Sequence, residues 1–297
     1  MPDRPAYRGR FAPSPTGPLH LGSLIAALAS YLDAKSRRGS WLVRMEDLDP
    51  PREEPGAAEK ILHSLQAHGL HWDEKVLWQS QRHRAYAEAL AQLQAGGHLF
   101  ACRCTRAAMG PGGHCGGQCR VQPPAEGVST ATRIDVPTGT VIRFGDPIQG
   151  EQEEALGRDL PDFVLCRKDG LFAYQLAVVV DDAFQGITEV LRGSDLLDST
   201  ARQLFLQGAL GFPHPQYTHI PVITHADGSK LSKQNLAPAL DDGQAPDNLR
   251  QALDFLGQPC PAPSLTSPGE ILAAAVQAWQ VERIPRAMAL YRPESVQ

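Results

Sequence analysis

Residues 7–23 read YRGRFAPSPTGPLHLGS, and this stretch decides the fold. Tyr7–Phe11 has the pattern of a short strand, and a turn rich in proline and glycine follows it. From Leu21 onward, apolar residues recur at offsets of 0, 3, 4, 7, 10 and 11, which place them on one helical face. The stretch therefore predicts a strand, a glycine turn and a helix, with Gly39 as the C′ residue that ends the helix.

The same alternation continues along the chain. Trp41–Met45 predicts a second strand, and an acidic cluster that includes Glu46 follows its carboxyl end. Helical patterns come next, at about 55–68 and about 80–95, and Ser80 is the expected N-cap of the second helix. Strands that alternate with helices in this way indicate an α/β fold with a doubly wound, Rossmann-like parallel sheet.

The alternation of predicted strands and helices stops at about residue 99. Between 99 and 172, cysteines, Gly-Gly pairs and Pro-Pro interrupt short β-like runs. The α/β pattern then resumes, and helical spacing replaces it beyond about 240. We therefore expect a sheet domain in two halves, at 1–98 and 173–240, with an inserted module at 99–172 and a short C-terminal helical region at 241–297.

Three local features of the later chain have plain interpretations. Gln216–Ile223 predicts one continuous strand. Ser267, followed by Pro268 and Glu270, predicts a capping box with proline at the first helical position. The acidic run Glu151–Glu154 is interpreted as a solvated loop.

The composition is that of an ordinary globular protein. Of its 297 residues, 21% are charged and 42% are hydrophobic, so the chain can bury a sizeable core. Its 28 basic and 33 acidic residues give a net charge of −5, which excludes a broadly cationic protein but not a local nucleic-acid site. No apolar run has the roughly 18–20 residues of a membrane span, and the amino terminus lacks the apolar region of a signal peptide. We therefore expect a cytoplasmic protein without a membrane partner.

Four of the six cysteines fall within 18 residues, and these are Cys102, Cys104, Cys115 and Cys119. Without an export signal, a disulfide framework is not expected. Two close-spaced pairs of thiolates suit a tetrahedral Zn²⁺ ion, and a closed site with four ligands indicates a structural role. His114 is an alternative third ligand, and free or redox-active cysteines are the alternative to a metal site.

Two loops carry residues suited to phosphate. The glycine turn leads to a helix start, where His20 could donate to a phosphate oxygen and Gly22 would let a ligand approach the backbone. A second loop reads KLSKQ at 230–234 and holds Lys230 and Lys233. A lysine is a mobile point charge that can neutralise a transferring phosphate. Either loop alone would be interpreted as structural.

Together the two loops identify a family. His20-Leu-Gly-Ser23 resembles the HIGH signature of class I aminoacyl-tRNA synthetases, and KLSKQ, about 210 residues later, resembles their KMSKS signature. The strings RFAPSPTGPLHLGSL, LVRMEDLDPPR, YQLAVVVDD and VLRGSDLLDST are similar to those of glutamyl-tRNA synthetases, and the resemblance spans about residues 7–240. Ser23, Leu231 and Gln234 depart from the two signatures, but both lysines remain.

The resemblance implies a role for each matching residue. Five residues would bind the substrate L-glutamate, namely Arg10, Ser14, Glu46, Tyr174 and Arg192. An arginine would pair with a carboxylate through its bidentate fork, and Glu46 would accept from the α-amino group. Which arginine binds which carboxylate is left open. Taken alone, Glu46 is a strand-end carboxylate paired with Arg44, and Arg192 is a surface arginine.

The resemblance also implies an ATP site. His20, Gly22, Lys230 and Lys233 would bind ATP, which enters with Mg²⁺. His20 and Lys233 would be the catalytic residues, because they would stabilise charge as pyrophosphate leaves. No protein nucleophile is required, since the substrate carboxylate itself attacks.

Length separates the branches of this family. About 57 residues follow Leu240, too few for the large anticodon-binding region of glutamyl- and glutaminyl-tRNA synthetases. The resemblance is therefore to the truncated glutamyl-Q tRNA(Asp) synthetases, which carry a cysteine-rich zinc site and attach glutamate to queuosine in the anticodon loop of tRNA(Asp). The implied partners are L-glutamate, ATP and that tRNA, and we expect a monomer. The alternatives are charging of a tRNA 3′ end and a zinc-containing RNA-binding paralogue without activity.

Overall fold

The computed structural model describes residues 6–225 and 238–291, and the lysine loop predicted at 230–234 lies outside them. In the described residues, the strands in chain order are β1 Arg8–Phe11, β2 Ser40–Met45, β3 Leu77–Trp78, β4 Leu99–Cys102, β5 Ala131–Asp135, β6 Ile142–Asp146, β7 Gly150–Glu154, β8 Asp162–Cys166, β9 Glu189–Gly193, β10 Gln216–Ile220, β11 Val222–Thr224 and β12 Ala289–Tyr291. The α-helices are α1 Leu21–Ser36, α2 Ala57–Ala67, α3 His83–Ala95, α4 Gln118–Val121, α5 Leu156–Asp159, α6 Tyr174–Phe184, α7 Leu197–Leu210, α8 Ala245–Phe255 and α9 Pro268–Ala278.

The predicted parallel sheet is confirmed. β1 runs parallel to β2, with Arg10 opposite Leu42, and β2 runs parallel to β3. On the other side of β1, the N–H of Thr188 donates to the carbonyl oxygen of Arg8 at 2.9 Å, which places β9 beside β1. β9 in turn runs parallel to β10. The chain therefore leaves β1 in one direction through α1 and returns to its other side later, as in a doubly wound α/β fold.

Helix α1 packs at the centre of this region. Its residues Leu24, Leu28 and Leu32 are fully buried at 0% exposure, in a core that α8, α9 and the sheet complete. Full burial of each aliphatic side chain contributes about 1.5–3 kcal/mol. Trp41 of β2 is buried against the same helix, and its indole N–H donates to Oγ of Ser30 at 2.9 Å. This packing holds the first turn of α1 in a fixed position at the end of the sheet.

Two predictions of helix ends were wrong. After α1, Arg38 has a φ of 54° and takes the left-handed conformation predicted for Gly39. Gly39 is needed instead for a close approach, because a Cβ there would lie 2.6 Å from the carbonyl oxygen of Tyr7. Ser80 precedes α3 by three residues and does not cap it. Its hydroxyl donates to Asp47 at 2.6 Å and so supports the acidic cluster after β2.

The segment between α3 and α6 forms antiparallel sheets. β4, β5 and β8 form one of them, and β6 and β7 form a hairpin. The interpretation of Glu151–Glu154 as a loop was wrong, because these residues belong to β7. Pairing with β6 outweighs their weak strand propensity, and Arg143 bonds Glu153 across the hairpin at 2.8 Å. β5 and β8 share a core with α3, α6 and α7, and the domain boundaries given above stay a prediction.

The C-terminal region is helical only in part. α8 and α9 were expected, and the capping box of Ser267 and Glu270 at the start of α9 is confirmed. β12, however, runs parallel to β11, and no pattern predicted this strand. Pro221 divides the strand predicted at Gln216–Ile223 into β10 and β11, since proline has no N–H to donate to a neighbouring strand. In the part of the chain that the structure describes, no helix has the length and apolar composition needed to cross a membrane.

Candidate functional site

A cavity of about 440 Å³ opens at the carboxyl ends of β1, β2 and β9. Doubly wound folds bind their ligands at this edge of the sheet. The cavity is lined by every residue predicted for glutamate or ATP that the structure describes, namely Arg10, Ser14, His20, Gly22, Glu46, Tyr174 and Arg192. Lys230 and Lys233 lie outside the described residues. The fold thus brings the seven residues together, and their individual roles stay predictions.

The turn after β1 forms one wall of the cavity. Gly17 has a φ of 141°, a conformation that residues with side chains rarely adopt. The N–H of Glu46 donates to the carbonyl oxygen of Pro13 at 2.9 Å, which ties the turn to the end of β2. The conformation of Gly17 and the hydrogen bond to the end of β2 therefore both shape the turn that brings Ser14 to the cavity.

His20 is the N-cap of α1. Its Nδ1 accepts from the N–H of Ser23 at 3.3 Å, which assigns the proton of the neutral ring to Nε2 and makes that nitrogen a donor. A Cβ on Gly22 would lie 3.1 Å from the His20 ring and 3.2 Å from the side chain of Ile223. Glycine at this position therefore preserves the placement of the histidine at the helix N-terminus, where anions bind.

The described chain on both sides of residues 226–237 lies at the edge of the cavity. Ile223 of β11 lines the cavity. Leu240 donates its N–H to the carbonyl oxygen of Leu19 at 2.9 Å, next to His20. The chain therefore passes the start of α1 immediately before and after the part that holds the predicted lysine loop.

Arg10 is anchored by the buried Asp182 of α6. Nε of Arg10 lies 3.1 Å from Oδ1 of Asp182 and Nη2 lies 3.4 Å from Oδ2, while the fully buried Arg44 approaches Oδ1 at 2.8 Å. Burial alone would raise the pKa of Asp182, but the two guanidinium groups outweigh it, and the pKa lies below its ordinary value. These contacts use Nε and Nη2 of Arg10, so Nη1 is the nitrogen that could bind a ligand carboxylate.

Glu46 combines a raised pKa with an unpaired oxygen. Burial raises the pKa of this carboxyl to about 7, although Arg44 and Arg10 oppose the shift. Its Oε1 lies 3.7 Å from Nη2 of Arg44, too far for a hydrogen bond, and has no hydrogen-bond partner in the described part of the chain. The interpretation that paired Glu46 with Arg44 is thus correct about the neighbour. Glu46 also lines the cavity, where its carboxylate is an acceptor suited to a ligand ammonium.

Arg192 is only 5% exposed, so its interpretation as a surface residue was wrong. All five of its N–H groups donate to neutral acceptors, which are His219 Nε2, Tyr174 Oη, Gln203 Oε1, the Leu196 carbonyl and Thr200 Oγ1. No carboxylate of the described residues lies within ion-pair distance of this guanidinium. The contacts to Tyr174 at 3.3 Å and to Leu196 at 3.2 Å are the longest of the five. A ligand carboxylate would replace these two most readily.

Three residues that hold Arg10 and Arg192 were not predicted from the sequence. Asp182 carries a detectable signal, because it stands eight residues after Tyr174 and therefore lies on the same face of α6. Gln203 and His219 come from α7 and β10. No short-range pattern connects either residue with Arg192, and only the folded chain brings them together.

The four predicted metal ligands lie together after β4. The Sγ atoms of Cys102, Cys104, Cys115 and Cys119 all lie within 4.8 Å of one another, and Sγ of Cys104 is 3.6 Å from those of both Cys115 and Cys119. A tetrahedral zinc ion with bonds of about 2.3 Å needs sulfur atoms about 3.8 Å apart. The four thiols therefore fit a zinc ion. His114, the alternative ligand, is not in this group, and its ring packs over Gly110.

Residues beside the cysteines hold their loop in place. Burial raises the pKa of the Cys102 thiol to about 12, so this thiol would lose its proton on binding zinc. The N–H of Cys115 donates to both carboxylate oxygens of Asp162, at 2.9 and 3.0 Å. Asp162 is itself paired with the buried Arg133 of β5. The cysteine loop is thus anchored to the antiparallel sheet beside it.

A second cavity, of about 600 Å³, adjoins the first. The two share Ser14, Glu46, Arg52 and Tyr174 as lining residues. Asp49 also lines the second cavity, and Nη1 of Arg167 approaches its Oδ1 at 3.3 Å. A molecule in the second cavity would therefore meet one in the first beside Glu46 and Tyr174.

Comparisons with known proteins agree with this geometry. The family described as tRNA synthetases class I (E and Q), catalytic domain, matches residues 6–112 and 120–256. The Glutamyl-Q tRNA(Asp) synthetase of Thiobacillus denitrificans is 53% identical over 293 residues, which cover 96% of this chain and 97% of that protein. The protein of the same name from Pseudomonas entomophila is 52% identical over 284 residues, which cover 95% and 96%.

A solved structure supports the same assignment. The crystal structure of the glutamate-tRNA synthetase from Elizabethkingia anophelis matches with a TM-score of 0.82 at 25% identity, and the match covers 97% of this chain and 68% of that one. The family thus extends over most of the chain, and a similar fold accompanies it. The chain is a ligase of the class I aminoacyl-tRNA synthetases, and within the glutamyl and glutaminyl family it belongs to the glutamyl-Q tRNA(Asp) synthetases.

Proposed function

We propose that this protein activates L-glutamate with ATP and transfers the glutamyl group to queuosine in tRNA(Asp). One observation carries the activation half of the proposal. Two buried arginines, the carboxylate side chain of Glu46 and the histidine at the start of α1 line one cavity. The transfer half is supported by the names of relatives that are 52–53% identical along almost their whole length.

The charges of the cavity complement L-glutamate. The substrate has two carboxylates and one ammonium group, and the cavity offers Arg10, Arg192 and Glu46 to match them. Arg10 and Arg192 are 4% and 5% exposed, and a buried guanidinium binds a carboxylate more strongly than an exposed one does. The hydroxyl groups of Ser14 and Tyr174 complete the site. Either arginine can take the α-carboxylate, and the other then takes the side chain.

ATP would lie on the side of the cavity where α1 begins. His20 and the backbone at Gly22 would hold phosphate oxygens at the helix N-terminus, and Mg²⁺ would accompany the nucleotide. An oxygen of the glutamate carboxylate attacks the α-phosphorus, the bond to the bridging oxygen breaks, and pyrophosphate leaves with the electron pair. His20, together with Lys230 and Lys233, would stabilise the charge that develops.

The second cavity offers room for the acceptor nucleoside. In the transfer step, a hydroxyl oxygen of the nucleoside attacks the glutamyl carbonyl carbon, and the anhydride bond to AMP breaks. AMP leaves with the electron pair, and the hydroxyl proton passes to the departing phosphate or to solvent. Because the two cavities share Ser14, Glu46 and Tyr174 as lining residues, an acceptor in the second cavity would lie beside the activated glutamate.

We also propose one structural zinc ion, held by Cys102, Cys104, Cys115 and Cys119. The ion would fold the loop after β4 around a closed set of four sulfur ligands. A closed set leaves no position for substrate, so the zinc would take no part in the reaction itself.

The proposed function is tested by glutamate-dependent exchange of ATP and pyrophosphate, followed by mapping of labelled glutamate on tRNA. We expect exchange by the wild-type protein, a loss of about 10²–10³-fold in Lys233→Ala, and label in the anticodon loop of tRNA(Asp). Lys75→Ala, which removes an exposed lysine that lines neither cavity, is the control. Label at the 3′ end of the tRNA would contradict transfer to queuosine and would indicate ordinary tRNA charging. The absence of exchange would indicate an inactive RNA-binding paralogue.

A further inference from the structure

Two buried side chains, Asp146 and His219, connect Arg192 with the β6–β7 hairpin. Asp146 ends β6 and is 4% exposed, and His219 in β10 is 0% exposed. Nδ1 of His219 lies 2.7 Å from Oδ2 of Asp146, and Nε of Arg192 lies 3.0 Å from Nε2 of His219. Neither Asp146 nor His219 lines the cavity. The three side chains form a row of hydrogen bonds from the hairpin to the cavity.

Asp146 determines the direction of these hydrogen bonds. Its Oδ1 accepts from the N–H groups of Ile148 and Gln149 at 2.8 and 2.9 Å, and its Oδ2 accepts from the N–H of His219 at 2.9 Å. A carboxylate that faces three backbone donors can only accept, so the ring proton of His219 lies on Nδ1. Nε2 is then an acceptor. Arginine donates but never accepts, so Arg192 requires this tautomer.

The neutral ring is consistent with its surroundings. Burial lowers the pKa of His219, although the hydrogen bond to Asp146 opposes the shift. Arg192 also lies beside the ring and disfavours a second positive charge there. Thr200 contributes a further contact, since its Oγ1 is 3.1 Å from Nε2 of His219 and 3.0 Å from Nη2 of Arg192.

We infer that Asp146 and His219 are positioning residues for glutamate binding, because they orient Arg192 from the side opposite the cavity. The inference rests on the proposed role of Arg192 as a ligand of a glutamate carboxylate. It adds that the hairpin, which lies in the same insertion between α3 and α6 as the cysteine cluster, takes part in forming the amino-acid site. Tyr174 and Gln203 orient the guanidinium from Nη1, and His219 orients it from Nε.

Two substitutions of His219 separate the contacts of its two nitrogens. The amide of His219→Asn can replace Nδ1 and keep the bond to Asp146, but it leaves Nε of Arg192 without an acceptor. The amide oxygen of His219→Gln can replace Nε2 and keep the bond to Arg192. Gln149→Leu is the matched control. The Gln149 side chain donates to the carbonyl oxygens of His219 and Ala287, both at 2.9 Å, and so holds the hairpin without touching Arg192.

The measurement is the KM for glutamate and for ATP in pyrophosphate exchange. We expect His219→Asn to raise the KM for glutamate about tenfold and to leave the KM for ATP within about twofold. His219→Gln and Gln149→Leu should stay within about threefold in both constants. Equal effects of His219→Asn, His219→Gln and Gln149→Leu, or an unchanged KM for glutamate in His219→Asn, would overturn the inference, because the hairpin would then serve stability alone.

Two further measurements separate this inference from the proposed function. Arg192→Leu should raise the KM for glutamate more than His219→Asn does, and an unchanged KM there would refute the role of Arg192 itself. Independently of activity, ¹⁵N-histidine NMR of the wild-type protein should show a neutral ring protonated at Nδ1, assigned by its loss in His219→Gln. A ring protonated at Nε2 would overturn the inference even if glutamate activation is confirmed.

Discussion

At the scale of the residue, we expect Glu46 to determine how the site responds to pH. Burial raises the pKa of its carboxyl from 4.5 to about 7, and only the ionised form can balance the ammonium group of glutamate. We expect kcat/KM for glutamate in the exchange reaction to rise as the pH increases through about 7, and Glu46→Gln to lower kcat/KM and remove that inflection. The contribution of Glu46 to the stability of the folded protein should instead fall as the pH rises. Between pH 4.5 and about 7 the unfolded chain ionises before the folded one, so the wild-type protein should lose stability relative to Glu46→Gln as the pH rises. A pH profile that is the same in both proteins would contradict the assignment, and urea unfolding at pH 5 and pH 8 checks the stability trend.

At the scale of the element, we expect the cysteine loop to depend on the proposed zinc ion. We expect about one zinc ion per purified chain, and we expect its removal to damage transfer of glutamate to RNA more than activation. The reason is that the cysteines and the cavity lie in different parts of the structure. The cysteine cluster follows β4, whereas the cavity lies at the ends of β1, β2 and β9. Cys104→Ser should reduce the zinc content measured by elemental analysis, and Cys260→Ser, which replaces an exposed cysteine outside the cluster, should not. Normal transfer by a metal-free protein would exclude a structural zinc.

At the scale of the whole molecule, the C-terminal helices complete the core under the site. Leu253 of α8 is fully buried in the same cluster as Leu28 of α1, the helix that begins next to His20. Leu253→Ala should therefore lower the free energy of unfolding by about 2–5 kcal/mol. Val121→Ala, which shortens a side chain that is 84% exposed, should change it by less than about 0.5 kcal/mol. Urea unfolding measures the free energy of unfolding of both variants. If Leu253→Ala lowers it by as little as Val121→Ala does, α8 does not belong to the cooperative unit.

The resemblance to glutamyl-tRNA synthetases supplied the list of residues that meet in the cavity. Short-range patterns by themselves determined the strand, turn and helix at 7–36, the parallel β2 and the close spacing of the four cysteines. They succeed because an amphipathic helix, a glycine turn or a capping box is encoded within a few neighbouring residues. The same patterns failed at Gly39 and Ser80, where the deciding contacts come from Tyr7 and Asp47 in other elements. Only the tertiary structure decided that Arg192 is buried, that Asp182 anchors Arg10, and that a hairpin residue, Asp146, stands behind His219. The physical reason is that burial and hydrogen-bond direction depend on groups far apart in the chain, so the environment of a charge exists only once the chain has folded around it.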